Sequence, residues 1–464
     1  MRRVGVVSAL VGGCLLVPAA ATARHARHAR HVQHASAWAK PQVIVPVGKA
    51  TYSPAAVTAP NGTTVVIFDE ANIHNGKFSL FAATRSVSGK IKIHRLGPMS
   101  GVFPQGSIAV GGDGTFAVAW AAPAKHGKSR VAARVWPAGK AGFGRTAYIS
   151  PANAGPLQAR GDVPRVAVDG AGTVYVVWEG LYGRHANKHS QVVERQLAKH
   201  GGKWSSPRHA AAVHCDRNQT PKCRRVDAHG AHVAANGNGN VAISWTQSSG
   251  EVMASIARAG AKPTRPQRIT AATYGISSPS IAVSDRGKAA MTWEQSVTTG
   301  RRIESKVTTQ KKFPRRGQFL SGKGTAQFQA LALASDGRGV TAWEEVSGSG
   351  GQVLARVMRP RGRAWTSNIV KLTRPGAALI GSSGPAVAAS AGLAFVAWSE
   401  RLNNQLSVGV KAQVGGHWLP TRTYRAVGPA GCAVSAANDP PRRARVLGSV
   451  VWTAALGLQI AVFR

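Results

Sequence analysis

Carboxylates are scarce in this chain: 464 residues carry 18 Asp plus Glu against 59 Lys plus Arg, a formal charge of +41. That imbalance excludes a surface of matched ion pairs, and it makes the position of every acid informative. Only four cysteines are present, so disulfides are not the frame of the fold, and a chain of this length can bury a core without them. Past the N-terminus no apolar run is long enough to span a bilayer. Aromatic residues make up only 6% of the chain, yet 12 of them are tryptophan, and those tryptophans recur at intervals. A hydrophobic content of 44% excludes a wholly disordered protein.

The first residues read as an export signal. Arg2-Arg3 precede an apolar stretch from Val4 to Val17, and Ala21-Thr22-Ala23 supplies a small-residue cleavage pattern. Residues 1–23 are expected to be removed near Ala23, giving an extracytoplasmic or secreted product with no membrane-spanning segment. Cys14 is the lipidation alternative, but the preceding Leu10-Val11-Gly12-Gly13 fits a lipobox poorly. Residues 24–37 place His25, His28, His31 and His34 three apart among arginines. Imidazoles at that spacing suit a divalent metal, whereas the lack of apolar neighbours to fix a geometry favours a solvated basic tether.

From residue 38 onward the chain repeats. Phe68, Trp120, Trp178, Trp245, Trp293, Trp343, Trp398 and Trp452 stand 52, 58, 67, 48, 50, 55 and 54 residues apart. Six residues before the aromatic lies a glycine in seven of the eight units, the last having Val446 instead. Turn formers such as Asn61-Gly62, Asp113-Gly114 and Asp169-Gly170 mark a tight hairpin there. Apolar runs flank that turn on both sides, as in Val166-Ala167-Val168 and Val174 to Trp178, so both strand faces are covered. A third strand carries a basic residue about 13 positions after the aromatic (Arg258, Lys306, Arg356, Lys411), and a fourth is opened by Phe143, Trp204, Phe313, Trp365 or Trp418. Four strands in roughly 50 residues describe the blade of a β-propeller. The last unit lacks its fourth strand, which Trp38 to Val45 supplies, so residues 38–464 form one all-β propeller closed by its N-terminal strand. Eight anchors give eight blades, with seven as the alternative if one unit is displaced.

The segment Val166-Ala167-Val168-Asp169-Gly170-Ala171-Gly172 followed by Val176-Val177-Trp178 resembles secreted bacterial β-propeller repeat proteins grouped with the sialidase-like (BNR-type) propellers. The resemblance implies the fold and a carbohydrate-related role. It carries over no catalytic residue: Ser335-Asp336-Gly337-Arg338-Gly339 is nearest to a sialidase Asp-box, but Trp343 lies a strand away, and no Phe-Arg-Ile-Pro segment occurs near the N-terminus.

Seven of the 18 acids lie one or two residues after the anchor aromatic: Asp69, Glu70, Glu179, Glu294, Glu344, Glu345 and Glu400. Composition alone would place about 0.65 there. These positions fall where the second strand enters its loop on the expected ligand face, so they form either a ligand-binding acidic ring or repeated ion pairs with the third-strand cations. Between the third and fourth units His209, His214, Cys215, Cys223, His229 and His232 cluster. Their spacing fits no common zinc finger, and an exported chain favours a Cys215–Cys223 disulfide, leaving Cys432 as a small residue in a buried strand. The sequence assigns no catalytic residue, metal set or cofactor. The expected protein is a monomeric, non-enzymatic propeller that binds anionic envelope polymers or glycans, with no nucleic-acid partner outside the cell. A carbohydrate-active hydrolase or lyase is the alternative, since glycoside hydrolysis needs a convergent acid pair.

Overall fold

The computed structural model describes residues 38–464 except 47–50, 73–74, 101–104, 152–162, 183–188, 199–201, 211–226, 260, 262, 271–278, 309–311, 323, 348–349, 375–376, 380–383, 427–431, 438–445 and 455–456. The proposed signal and tether, residues 1–37, lie outside the described residues.

Eight antiparallel sheets form an eight-bladed β-propeller. The second blade shows the plan: Gly106–Val110, Phe116–Pro123, Ser129–Trp136 and the two-residue Ala147–Tyr148 pair in chain order from the axis outward. All eight anchor aromatics sit at the centre of the second strand and are at most 1% exposed. Burying each ring contributes about 3 kcal/mol or more, which is why the repeat is organised on this position.

The hairpin between first and second strands explains the glycine. Gly62, Gly114, Gly172, Gly239, Gly287, Gly337 and Gly392 all adopt φ between 72° and 91°, a region that costs an L-residue steric strain. Side chains complete the turn: Asp169 Oδ1 accepts the N–H groups of Ala171 and Thr173, both at 2.9 Å, and Asn236 Oδ1 accepts those of Asn238 and Asn240 at 3.0 and 2.8 Å. Neighbouring turns are then tied together, since Gly170 N–H donates to the Asn236 carbonyl at 3.0 Å and Gly237 N–H to Asp285 Oδ1 at 2.6 Å.

The ring closes as the sequence implied. Gln42–Val45 pairs antiparallel with Gly457–Phe463 as the fourth strand of the eighth blade. Trp38 packs edge-on against Phe463 of that blade and Phe395 of the seventh, at 5.1 and 5.7 Å between ring centres. On the other side Gln42 Nε2 donates to the Gly89 carbonyl at 2.8 Å and Gln42 Oε1 accepts from Arg85 Nε at 3.0 Å, both in the first blade. Deeper in the seam a buried hydroxyl chain runs from Thr64 through Thr58 and Ser435 to Ser449, with steps of 3.1, 2.5 and 2.8 Å. The same amide device recurs where Gln267 and Gln318 clamp the backbone of Phe313 and Trp365 in the following blade.

Candidate functional site

Along the second strand, side chains alternate between the two sheet faces, and this parity separates the seven acids into two sets. The anchor indole turns toward the preceding blade: Trp120 Nε1 donates to the Pro98 carbonyl at 3.0 Å and Trp452 Nε1 to the Arg425 carbonyl at 3.1 Å. Acids two positions on (Glu70, Glu345, Glu400) share that side. Acids one position on (Asp69, Glu179, Glu294, Glu344) face the next blade.

The second set has a common task in three blades. The first strand of the next blade makes a β-bulge at this height, containing a residue in the left-handed region: Gly230 (φ 61°) in the fourth blade and Phe328 (φ 54°) in the sixth, with Gly384 (φ 59°) at the head of the seventh. Glu294 Oε1 accepts the Phe328 N–H at 2.7 Å. Glu344 accepts from the Gly384 backbone and from the Gln327 side chain. Glu179 Oε1 lies 2.8 Å from His229 Nδ1, beside the Gly230 bulge, and accepts from Ser190 Oγ at 2.5 Å. A charge-assisted bond of this kind offsets the strain of a left-handed phenylalanine. No local pattern marks the bulge at Phe328, because a phenylalanine announces no left-handed turn.

Burial sets the protonation of two members. Asp69 is pushed up to about 7 by desolvation, with its own backbone N–H pulling the other way. Glu344 is also pushed up to about 7, by desolvation first, with the two hydrogen bonds lowering it and the neighbouring Glu294 charge raising it. Glu400 is fully buried and takes two donors, Trp398 Nε1 at 2.8 Å and Arg374 at 2.9 Å.

Register sets these acids away from the expected partners Lys306, Arg356 and Lys411, although Glu294 Oε2 does meet another third-strand cation, Arg301, at 3.6 Å. Register places Glu294 opposite Ile303, Glu344 opposite Val353 and Glu400 opposite Ser407, while Lys306, Arg356 and Lys411 stand opposite Met291, Thr341 and Val396. Acid and cation are thus separated along the strand, toward opposite rims. Arg258 lies beyond its third strand, which ends at Ala257. Two cations at this register act as braces between blades: Lys306 Nζ donates to the Ile269 carbonyl and Arg195 to the Ile149 carbonyl at 2.8 Å, each in the preceding blade, whereas Arg356 donates to the Thr366 carbonyl of its own blade at 3.1 Å. Desolvation lowers the pKa of Lys306, Arg356 and Lys411.

No protein-family model matches the chain, and no curated protein matches it in sequence. Solved structures share its fold. An ulvan lyase of polysaccharide lyase family PL25, bound to -[GlcA(1-4)Rha3S]-, superposes with a TM-score of 0.50 at 12% identity, covering 91% of this chain and 96% of that one. The β-propeller domain of the trilobed protease from Pyrococcus furiosus gives 0.45 at 8% identity over 85% and 98%. The BP39L lectin from Burkholderia pseudomallei gives 0.43 at 16% identity over 74% and 91%. What these share with the chain is architecture.

At the axis, first strands of five blades line a small cavity of about 20 Å³, with Ser107, Arg165, His232 and Ser280 as its polar lining. Desolvation, and then the Arg165 charge, drive the His232 pKa down to about 3, so its ring is neutral at pH 7. The histidines grouped by sequence therefore diverge: His232 lines the channel while His229 meets Glu179. Cys215 and Cys223 lie outside the described residues, and Cys432 is fully buried at the start of the first strand of the eighth blade, Cys432–Ala436. Among the described residues no group of His, Cys, Asp and Glu is arranged to hold a metal, and no helix is long and apolar enough to cross a membrane.

Proposed function

We propose that this is an exported, non-enzymatic propeller that binds anionic polymers or glycans. The observation that carries the reading is the division of labour between charges. Asp69, Glu179, Glu294, Glu344 and Glu400 are buried and hydrogen-bonded inside the blades, whereas much of the cationic excess is spread over exposed positions. A basic surface of this magnitude attracts polyanions at long range, and salt screens that attraction beyond about 8 Å at physiological strength. A fold neighbour bound to -[GlcA(1-4)Rha3S]- is compatible with a saccharide partner. The export signal, the tether at 24–37, the affiliation with secreted sialidase-like proteins, the monomeric state and a Cys215–Cys223 disulfide belong to the same reading. Recovery of mature protein beginning at Arg24, with Cys215 and Cys223 linked in non-reducing peptide maps, is expected; a Met1 start or free thiols would count against export.

A second reading rests on one observation. Glu344, pushed up to about 7 beside Glu294, has a pKa suited to general acid work on a glycan. Fluorescence anisotropy with labelled dextran sulfate and neutral dextran, run from low to high salt with a parallel search for new reducing ends and unsaturated uronate, separates the two. Salt-sensitive binding of dextran sulfate without turnover supports the binding protein. Turnover that Glu344→Gln abolishes while the fold survives establishes the enzyme.

A further inference from the structure

The charge is distributed unevenly between the layers of the propeller. The fourth strands and the described residues leading into them, 38–45, 86–98, 137–148, 202–209, 258–259, 263–268, 312–319, 359–371 and 415–425, contain 20 Lys plus Arg and no Asp or Glu. Chance placement of the 18 acids would put about three there. In every blade this layer is the outer edge of the sheet, so it forms the lateral wall of the molecule. Arg145, Arg265, Arg316, Lys371 and Arg422 are exposed on it, from the second blade to the seventh.

Building on the binding reading above, we infer that this wall is the surface on which a linear acidic polysaccharide lies, running from blade to blade around the circumference. Protection of sheet edges does not account for the charge. Five of the fourth strands are only two residues long, which already blunts an edge, and most of the cations, Arg145, Arg265 and Arg316 among them, stand in the segments leading into these strands rather than on an edge. A single sign repeated around the wall instead raises self-repulsion, which a bound polyanion relieves.

Two exposed aromatics point to a sugar rather than to charge alone. Tyr148 of the second blade and Phe319 of the fifth are 48% and 41% exposed on the same layer. A guanidinium is seated over each ring, Arg130 at 3.2 Å and Arg302 at 4.1 Å from the ring centre. Such a pair sets an apolar surface for a pyranose ring next to a fixed cation for its carboxylate or sulfate. Ring-stacking residues exposed on an edge strand have no role in edge protection.

The test compares two variants of equal charge. One removes four wall cations (Arg145→Gln, Arg265→Gln, Arg316→Gln, Lys371→Gln), and the other removes four exposed cations on hairpins elsewhere (Lys77→Gln, Lys125→Gln, Arg286→Gln, Arg401→Gln). The probe is fluorescein-labelled dextran sulfate, titrated at several salt concentrations, with thermal melts to verify both folds. The wall variant should bind at least about 30-fold more weakly at low salt, with a log K against log salt slope shallower by about 2 to 4, and the hairpin variant less than about 3-fold more weakly. Tyr148→Ala with Phe319→Ala should weaken dextran sulfate binding about tenfold with the salt slope unchanged. Equal weakening in the two charge variants, or none in the wall variant, would refute the placement while leaving polyanion binding intact. Failure of the unaltered protein to bind any polyanion would remove the broader reading. Tighter binding of poly-glutamate or oligo-dT than of dextran sulfate at equal charge would overturn the polysaccharide assignment.

Discussion

Replacing Glu344 with Gln isolates the energetic effect of a buried acid on the ring of blades. The carboxyl has an ordinary value of 4.5 and is pushed up to about 7 in the folded protein, chiefly by desolvation. Below pH 4.5 folded and unfolded chains both hold the proton, and Glu344 adds nothing to the pH dependence. Between pH 4.5 and 7 the unfolded chain releases its proton while the folded one keeps it, so stability falls by about 1.4 kcal/mol per pH unit. Above pH 7 both forms are ionised and the full loss, about 3 kcal/mol, is in place. Glutamine retains an oxygen for the Gly384 N–H and cannot ionise; whatever its amide costs locally is the same at every pH. Urea unfolding of both proteins at pH 5 and pH 8 gives the double difference, in which the slope contributed by Asp69 cancels. The stability lost by the parent between these two pH values should exceed that lost by the variant by about 2 to 3 kcal/mol. Identical pH dependence in the two proteins would falsify the claim that Glu344 is held protonated by burial.

Three further expectations concern the frame. Deleting residues 38–46 should lower stability by roughly 5 kcal/mol or more, through lost burial of Trp38, Ile44 and Val45, while deleting residues 24–37 should leave the melting temperature unchanged; equal midpoints would contradict ring closure. Gly172→Ala should cost about 2 kcal/mol or more, since φ is 88° and a Cβ would stand 2.3 Å from Asp113 Oδ2, whereas Gly142→Ala, with nothing within 4 Å, should cost under about 0.5 kcal/mol in the same denaturation assay. Lys306→Met should cost about 1 to 3 kcal/mol, because the Ile269 carbonyl loses its cross-blade donor; an unchanged midpoint would show that the brace is idle.

Turn, anchor and closure were legible because each depends on a residue type with few alternatives: a positive φ calls for glycine, a fully enclosed ring for tryptophan, and a lone terminal strand for a partner edge. Side chains that act between blades were not. Glu294 and Glu345 look alike in one dimension, yet strand parity sends them to opposite neighbours. Counting 13 residues from Trp245 to Arg258 overshot the third strand because the fourth blade has a tighter hairpin, with Trp245 opposite Met253, whereas Trp293 pairs with Glu304. The bulge at Phe328 is imposed by contacts from two other blades, Glu294 on one side and Gly384 on the other, and no local pattern encodes it. The excess of acids behind the anchors was a true signal, but its meaning depended on register, which composition cannot supply.

The closing strand also has a temporal meaning. Within the propeller Gln42 is synthesised before the first blade and its partner Ile460 after the seventh, so seven blades can pair locally while the strand that completes the eighth waits for all of them. Bringing ends that far apart together costs about 5 kcal/mol of chain entropy, and until it happens the apolar segment Gly457–Phe463 has one side unpartnered. The slowest and most aggregation-exposed moment in the life of the molecule therefore falls at the seam, after the other blades have formed. Moving residues 38–46 to follow Arg464 would turn that late, long-range event into a hairpin between neighbours. The rearranged protein should reach the same ring with the same seam contacts, and it should arrive there sooner.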